Sequence, residues 1–111
     1  MKFDIALAPS ALSALSEVPA LARRAEALGA DGLFTSETQH DPFLPLALAA
    51  EHTSHVELGT AVAIAFARSP MTVAYTSWDL AAQSGGRFIL GLGTHVNQHV
   101  ERRLGMTWPE S

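Results

Sequence analysis

Hydrophobic and polar positions change period several times along this chain, and each change marks an element. Phe3, Ile5 and Leu7 alternate with Asp4, Ala6 and Ala8, the two-residue period of a strand. Pro9 and the Ser/Ala-rich residues to Ser13 end it. Leu15, Val18, Leu21, Ala22, Ala25 and Leu28 then recur at helical spacing, with Ser16 as the expected cap, Pro19 in the first turn and Gly29 at the close. Asp31-Gly32 turns into a second strand, Leu33 to Ser36, followed by the polar loop Glu37-Thr38-Gln39-His40. Asp41-Pro42 opens a helix reaching about His52, apolar over most of its circumference and so expected to be buried on more than one side. Val56 to Ile64 reads as a third strand interrupted at Gly59-Thr60. Ser69-Pro70 repeats the cap-and-proline start of a helix that runs to Ser84 and is again apolar nearly all round. Gly85 to His95 reads as a turn, a buried fourth strand starting near Arg87 and two glycines leading into a polar loop, and a further helix begins near Gln98.

Strand and helix alternate, which predicts right-handed crossovers and an α/β fold with a parallel sheet. In such sheets ligands bind beyond the carboxy ends of the strands. The helix-to-strand returns are short (Gly29-Ala30-Asp31, Thr53-Ser54-His55, Gly85-Gly86). The loops after the strands are longer and hold Glu37, Thr38, Gln39, His40, Phe66, Arg68, Thr94, His95 and Asn97. Chemistry-capable residues thus collect on one rim. Glu37 and His40 are candidates for proton transfer, although His40-Asp41 is equally suited to capping the helix that Pro42 opens. Arg68 suits either an anionic group or the bracing of its own loop. Gly91 and Gly93 imply something lying close against the backbone, a ligand or a packed neighbour. Gly91-Leu92-Gly93 lacks the third glycine of a dinucleotide fingerprint and follows the fourth strand instead of the first. His95 and His99 have helical ligand spacing but no intervening Glu, and no metal site is assigned. Met71, Tyr75 and Trp78, at helical spacing, point to core or interface.

Composition narrows the classes. The 111 residues suffice for one domain or part of one; 48% are hydrophobic and 16% charged, which suits strands covered on both faces. Cysteine is absent, removing disulfides and thiolate chemistry. A net charge of −4 without clustered basic residues argues against nucleic acid. No run approaches the ~20 apolar residues of a membrane span, and the amino terminus has no signal-like segment. A soluble cytoplasmic protein is the expectation.

The motifs also carry a family resemblance. Leu28-Gly29-Ala30-Asp31-Gly32-Leu33-Phe34, with Ser36-Glu37 and His40-Asp41-Pro42-Phe43, resembles the second unit of the luciferase-like monooxygenase superfamily. Glu57 to Val62 with Arg68-Ser69-Pro70 is similar to its third unit, and Ser84 to Thr94 to its fourth strand. The segment His99 to Trp108 resembles the branch that uses the deazaflavin coenzyme F420; flavin (FMN) monooxygenases are the alternative. The resemblance implies a TIM (β/α)8 barrel, of which residues 1–111 form the amino-terminal half, about four βα units, since a barrel takes ~250 residues. It implies hydride transfer to or from a small organic substrate. It also implies a third-strand bulge with a cis peptide at Ala61–Val62 supporting the cofactor ring, and contacts from Thr38, Thr94 and His95. Glu37-Thr38 occupies the place of an Asp-His pair near the reacting carbon. Family relatives dimerise through helices corresponding to 42–52 and 70–84, which makes a homodimer the expectation. A non-catalytic half-barrel that buries its edges by association is the alternative from another class.

Overall fold

The computed structural model describes residues 2–7, 14–37, 40–65 and 68–93. Strand β1 (Asp4–Ala6) is followed by a 3-10 turn (Leu15–Glu17) and helix α1 (Val18–Ala27). Then come β2 (Gly32–Thr35), α2 (Phe43–Glu51), β3 (Glu57–Thr60), β4 (Ala63–Ile64), α3 (Pro70–Gln83), β5 (Phe88–Ile89) and β6 (Leu92–Gly93). The helix expected near Gln98 lies outside the described residues.

Strands β1, β2, β3 and β5 form one parallel sheet in that order, and β4 pairs with β6 in a parallel two-stranded continuation. Each new strand joins the same edge. With right-handed crossovers, that order puts every connecting helix on one face and curls the sheet, as in a barrel; a doubly wound sheet would reverse direction instead. Ile5, Leu33, Leu58 and Phe88 are register neighbours on the helix side, where they meet Val18, Ala22 and Ala25 of α1 and Leu46, Ala49 and Ala50 of α2. Full burial of side chains such as Leu33, Leu46 and Leu58 contributes about 1.5–3 kcal/mol each. A second cluster joins Phe43, Ala63 and Leu80.

Helices α1 and α2 pack on one face of this sheet. The other face carries Gly32, Phe34, Gly59 and Ile89, and Ile89 is exposed. The Phe34 ring fills the room left by two glycines: a Cβ at either Gly32 or Gly59 would stand 2.6 Å from it.

Local signals held unevenly. Ser69 caps α3 by accepting the Thr72 N–H at 3.1 Å, and Asp41 accepts the N–H groups of Phe43 and Leu44 at 2.8 and 2.7 Å. Gly29 closes α1 with φ of 89°, a conformation open to glycine. Ser16 is not the cap of α1: the 3-10 turn takes up Leu15–Glu17, and Glu17 occupies the N-cap position. In α2, Phe43, Pro45, Leu46, Ala49 and Ala50 are buried, as its apolar circumference suggested. Helix α3 buries only Val73 and Leu80. Its outer stripe of Met71, Tyr75 and Trp78 is 60%, 66% and 77% exposed. Beside α3 a cleft of about 350 Å³ runs between Val73, Ala74 and Ser77 on one side and Leu90 and Leu92 on the other. Among the described residues, no helix is long and apolar enough to cross a membrane.

At the amino ends of the strands, polar side chains close the returns. Asp31 accepts the Phe3 N–H at 2.6 Å, and Lys2 pairs with Glu57 at 3.1 Å. The Arg87 guanidinium donates to Thr53 Oγ1 and to the carbonyls of Val56 and Thr53, closing the carboxy end of α2. Glu26 accepts three successive N–H groups, from Ser54, His55 and Val56, at 2.8–3.0 Å. Burial pushes its carboxyl up, but the His55, Val56 and Ser54 donors outweigh that and hold it below its usual value. A lowered folded pKa stabilises the native state above the unfolded value near 4.5, and the contribution is lost as pH falls through the folded value. Glu26→Gln is therefore expected to cost about 1–3 kcal/mol at neutral pH. It should also flatten the acid limb of stability below about pH 4.5, as read by urea denaturation at several pH values.

Candidate functional site

The carboxy ends of the parallel strands meet at one rim, and its shape is set by a register change. Gly59 pairs with Ile89, but Ala63 pairs with Leu92. Thr60, Ala61 and Val62 therefore stand opposite Leu90 and Gly91, a bulge of one extra residue in the third strand. The peptide Ala61–Val62 within it is cis, at the bond that the family resemblance implies. The interruption of the third strand falls here and not at Gly59-Thr60. Gly59 stays in the ladder beneath Phe34, and Thr60 exchanges hydrogen bonds with its neighbour strand.

Both neighbouring strands hold the bulge. On the β2 side the Ala61 N–H donates to the Thr35 carbonyl at 2.6 Å, and the Glu37 N–H donates to the Val62 carbonyl at 3.1 Å. On the far side Thr60 Oγ1 donates to the Gly91 carbonyl at 2.8 Å and accepts the Gly91 N–H at 2.9 Å. The Ala63 N–H donates to the same Gly91 carbonyl at 2.9 Å. Ala61 is exposed and Val62 half-buried, so the bulge presents a low ledge of small side chains.

Gly91 and Gly93 owe their lack of a side chain to this ledge. A Cβ on Gly91 would lie 2.1 Å from the Thr60 carbonyl oxygen, and one on Gly93 would lie 2.7 Å from Val62 Cγ2. On that side of each residue the close neighbour is the third strand, which favours the packed-neighbour reading of these glycines.

Glu37 is 8% exposed, and both carboxylate oxygens are engaged. Oε1 accepts the Ile64 N–H at 2.7 Å and Arg68 Nη1 at 2.5 Å, and Oε2 accepts Arg68 Nη2 at 3.1 Å. Arg68 also donates to the Ile64 carbonyl at 3.0 Å, stands 3.7 Å from Asp41 and covers the Phe43 ring. Arg68 thus braces its loop through Glu37, a partnership 31 residues apart with no local signature. His40 is exposed in the turn before α2, and among the described residues no hydrogen bond joins it to Glu37. Thr38, Thr94 and His95 lie outside the described residues. Among those described, no cluster of three or more metal-ligating side chains occurs.

The ledge lies at the carboxy ends of the strands, where parallel sheets bind ligands, and its backbone is fixed from both sides. Gly91→Ala is expected to lower stability by about 1–3 kcal/mol, because the new methyl meets backbone and not a flexible side chain. Chemical denaturation measures that loss.

Comparisons with known proteins agree with this architecture. An uncharacterized protein of Mycobacterium tuberculosis is 57% identical over 94 residues, which span 79% of this chain and 28% of that protein. The F420-dependent glucose-6-phosphate dehydrogenase of Intrasporangium calvum is 39% identical over 100 residues, 78% of this chain and 30% of the enzyme. The structure of the coenzyme F420-dependent tetrahydromethanopterin reductase from Methanopyrus kandleri superposes with a TM-score of 0.84 at 26% identity. That match covers 96% of this chain and 30% of the reductase. The chain thus spans less than a third of the length of these relatives. The luciferase-like monooxygenase profile matches residues 1–111, and with the parallel fold and the third-strand bulge this places the chain in the luciferase-like monooxygenase family.

Proposed function

We propose that this chain is part of an F420-dependent oxidoreductase that transfers a hydride between the deazaflavin and a small organic substrate. The observation that carries the reading is the bulge at Thr60–Val62, which sets a ledge of small side chains at the ligand-binding rim of a luciferase-like fold. Two relatives named for their activity, one by sequence and one by structure, are F420-dependent, which supports the deazaflavin over FMN.

When bound, the cofactor supplies the hydride chemistry. The chain's own residues do the rest. Ala61 and Val62 would support one face of the ring, and Thr38, Thr94 and His95 are the further residues proposed to contact it. Of the two proton-transfer candidates, His40 is exposed on the rim. Glu37 is committed to Ile64 and Arg68, so the reading gives His40 the proton and Glu37 a supporting part.

Titration of the complete native chain with F420 and with FMN, followed by the distinct absorbance of each bound cofactor, tests this reading. F420 is expected to bind at least tenfold more tightly than FMN. Preference for FMN would make the protein a flavin monooxygenase of the same family. Binding of neither would favour a non-catalytic module.

The proposal includes a homodimer through α2 and α3. Leu44, Met71, Tyr75 and Trp78 expose large apolar surface on these two adjacent helices, and Met71, Tyr75 and Trp78 follow helical spacing along one stripe. Trp78→Glu is expected to convert a sedimenting dimer to monomer with the circular dichroism unchanged. A wild-type chain that stays monomeric at every concentration contradicts it.

A further inference from the structure

The geometry points to the Glu37–Arg68 pair as the device that positions the third-strand ledge for its ligand, an inference that rests on the ring-binding reading above. Glu37 holds the segment after the cis peptide at two places: its N–H donates to the Val62 carbonyl at 3.1 Å, and its Oε1 accepts the Ile64 N–H at 2.7 Å. Arg68 takes the other half of the same residue, donating from Nη1 to the Ile64 carbonyl at 3.0 Å. Both backbone groups of Ile64 thus end on one ion pair, itself closed by bonds of 2.5 and 3.1 Å between guanidinium and carboxylate.

The loop of contacts is protected. The Arg68 and Glu37 side chains are 15% and 11% exposed, and the guanidinium carbon stands 5.1 Å from the centre of the Phe43 ring. At the other end of the bulge, Thr60 Oγ1 is tied to both backbone groups of Gly91. The ledge is therefore pinned before and after Ala61–Val62, with the exposed Ala61 between the two pins. An ion pair taken out of water contributes little net stability compared with an apolar pair of similar volume. What it adds here is direction. Charge-assisted bonds are short and geometrically selective, and the planar guanidinium fork meets carboxylate and carbonyl together as an ammonium cannot. Arg68 and Glu37 are positioning residues in this account: they act on the ring through the backbone at Val62–Ile64.

Arg68→Lys and Glu37→Gln in the complete native chain test the inference, with Val18→Ala as a control that loosens the core of α1 away from the rim. F420 affinity and hydrogen exchange of the Ile64 amide are read in all of them, together with the thermal midpoint. Both rim variants are expected to bind F420 at least tenfold more weakly and to exchange the Ile64 amide at least tenfold faster than wild type. The control is expected to lower the midpoint while keeping wild-type affinity. Rim variants that bind as wild type would overturn the positioning role and leave the ring-binding reading intact, and a control that loses affinity equally would reduce the effect to general stability. If the unsubstituted chain binds neither F420 nor FMN, the ring-binding reading is what fails. Ile64 exchange then decides whether the pair holds the segment: faster exchange in the rim variants supports it, and unchanged exchange overturns it.

Discussion

Three residues of the third strand, Thr60, Ala61 and Val62, span the distance that Leu90 and Gly91 span beside them. That mismatch forces the chain out of the regular ladder at the carboxy ends of the strands, and the surrounding features respond to it. Gly91 has no side chain because the Thr60 carbonyl fills that space, and Gly93 none because Val62 does. The Thr60 hydroxyl takes over ladder bonding to Gly91. Glu37 leaves the end of β2 in a position to hold the far side of the bulge, and Arg68 returns from the next loop to neutralise it. Ledge, glycines and ion pair form one connected unit.

The two ends of the sheet use polar groups differently. At the amino ends, Glu26, Asp31, Lys2 and Arg87 each close a return between a helix and the next strand or join neighbouring strands. At the carboxy ends, Glu37 and Arg68 converge on a distorted strand instead of a turn. That division is the one expected of parallel α/β folds, in which one rim serves stability and the other carries the site. The sheet face away from the helices is lined by Gly32, Phe34, Gly59 and Ile89, the inner side of a curling sheet.

Much of the fold could be read from the residues because its signals are local. Ser69 before Pro70, Asp41 before Pro42 and Gly29 after α1 act within a few residues of themselves, and each does what its chemistry suggested. Ser16 was equally plausible, yet a 3-10 turn displaced it. The bulge was less accessible: Gly59 reads as a strand breaker until the Phe34 ring is seen filling its place. Its position at Ala61–Val62 came from likeness to a family and not from periodicity. The link between Glu37 and Arg68 crosses 31 residues, and each side chain alone suggests a catalytic or anion-binding group. Exposure of Met71, Tyr75 and Trp78 was also beyond pattern reading, since an apolar stripe at helical spacing looks the same whether a core or a second surface covers it.

The proposed function puts the ring of the cofactor against Ala61 and Val62. Methyl chemical shifts of the complete native chain, recorded while F420 is added, test this most directly. The account predicts that the Ala61 and Val62 methyls shift first and furthest. Those of Val18, Ala22 and Leu46, packed in the main core, should hold still. Shifts centred instead on Val73, Leu90 and Leu92 would place the ligand in the cleft beside α3 and contradict the account.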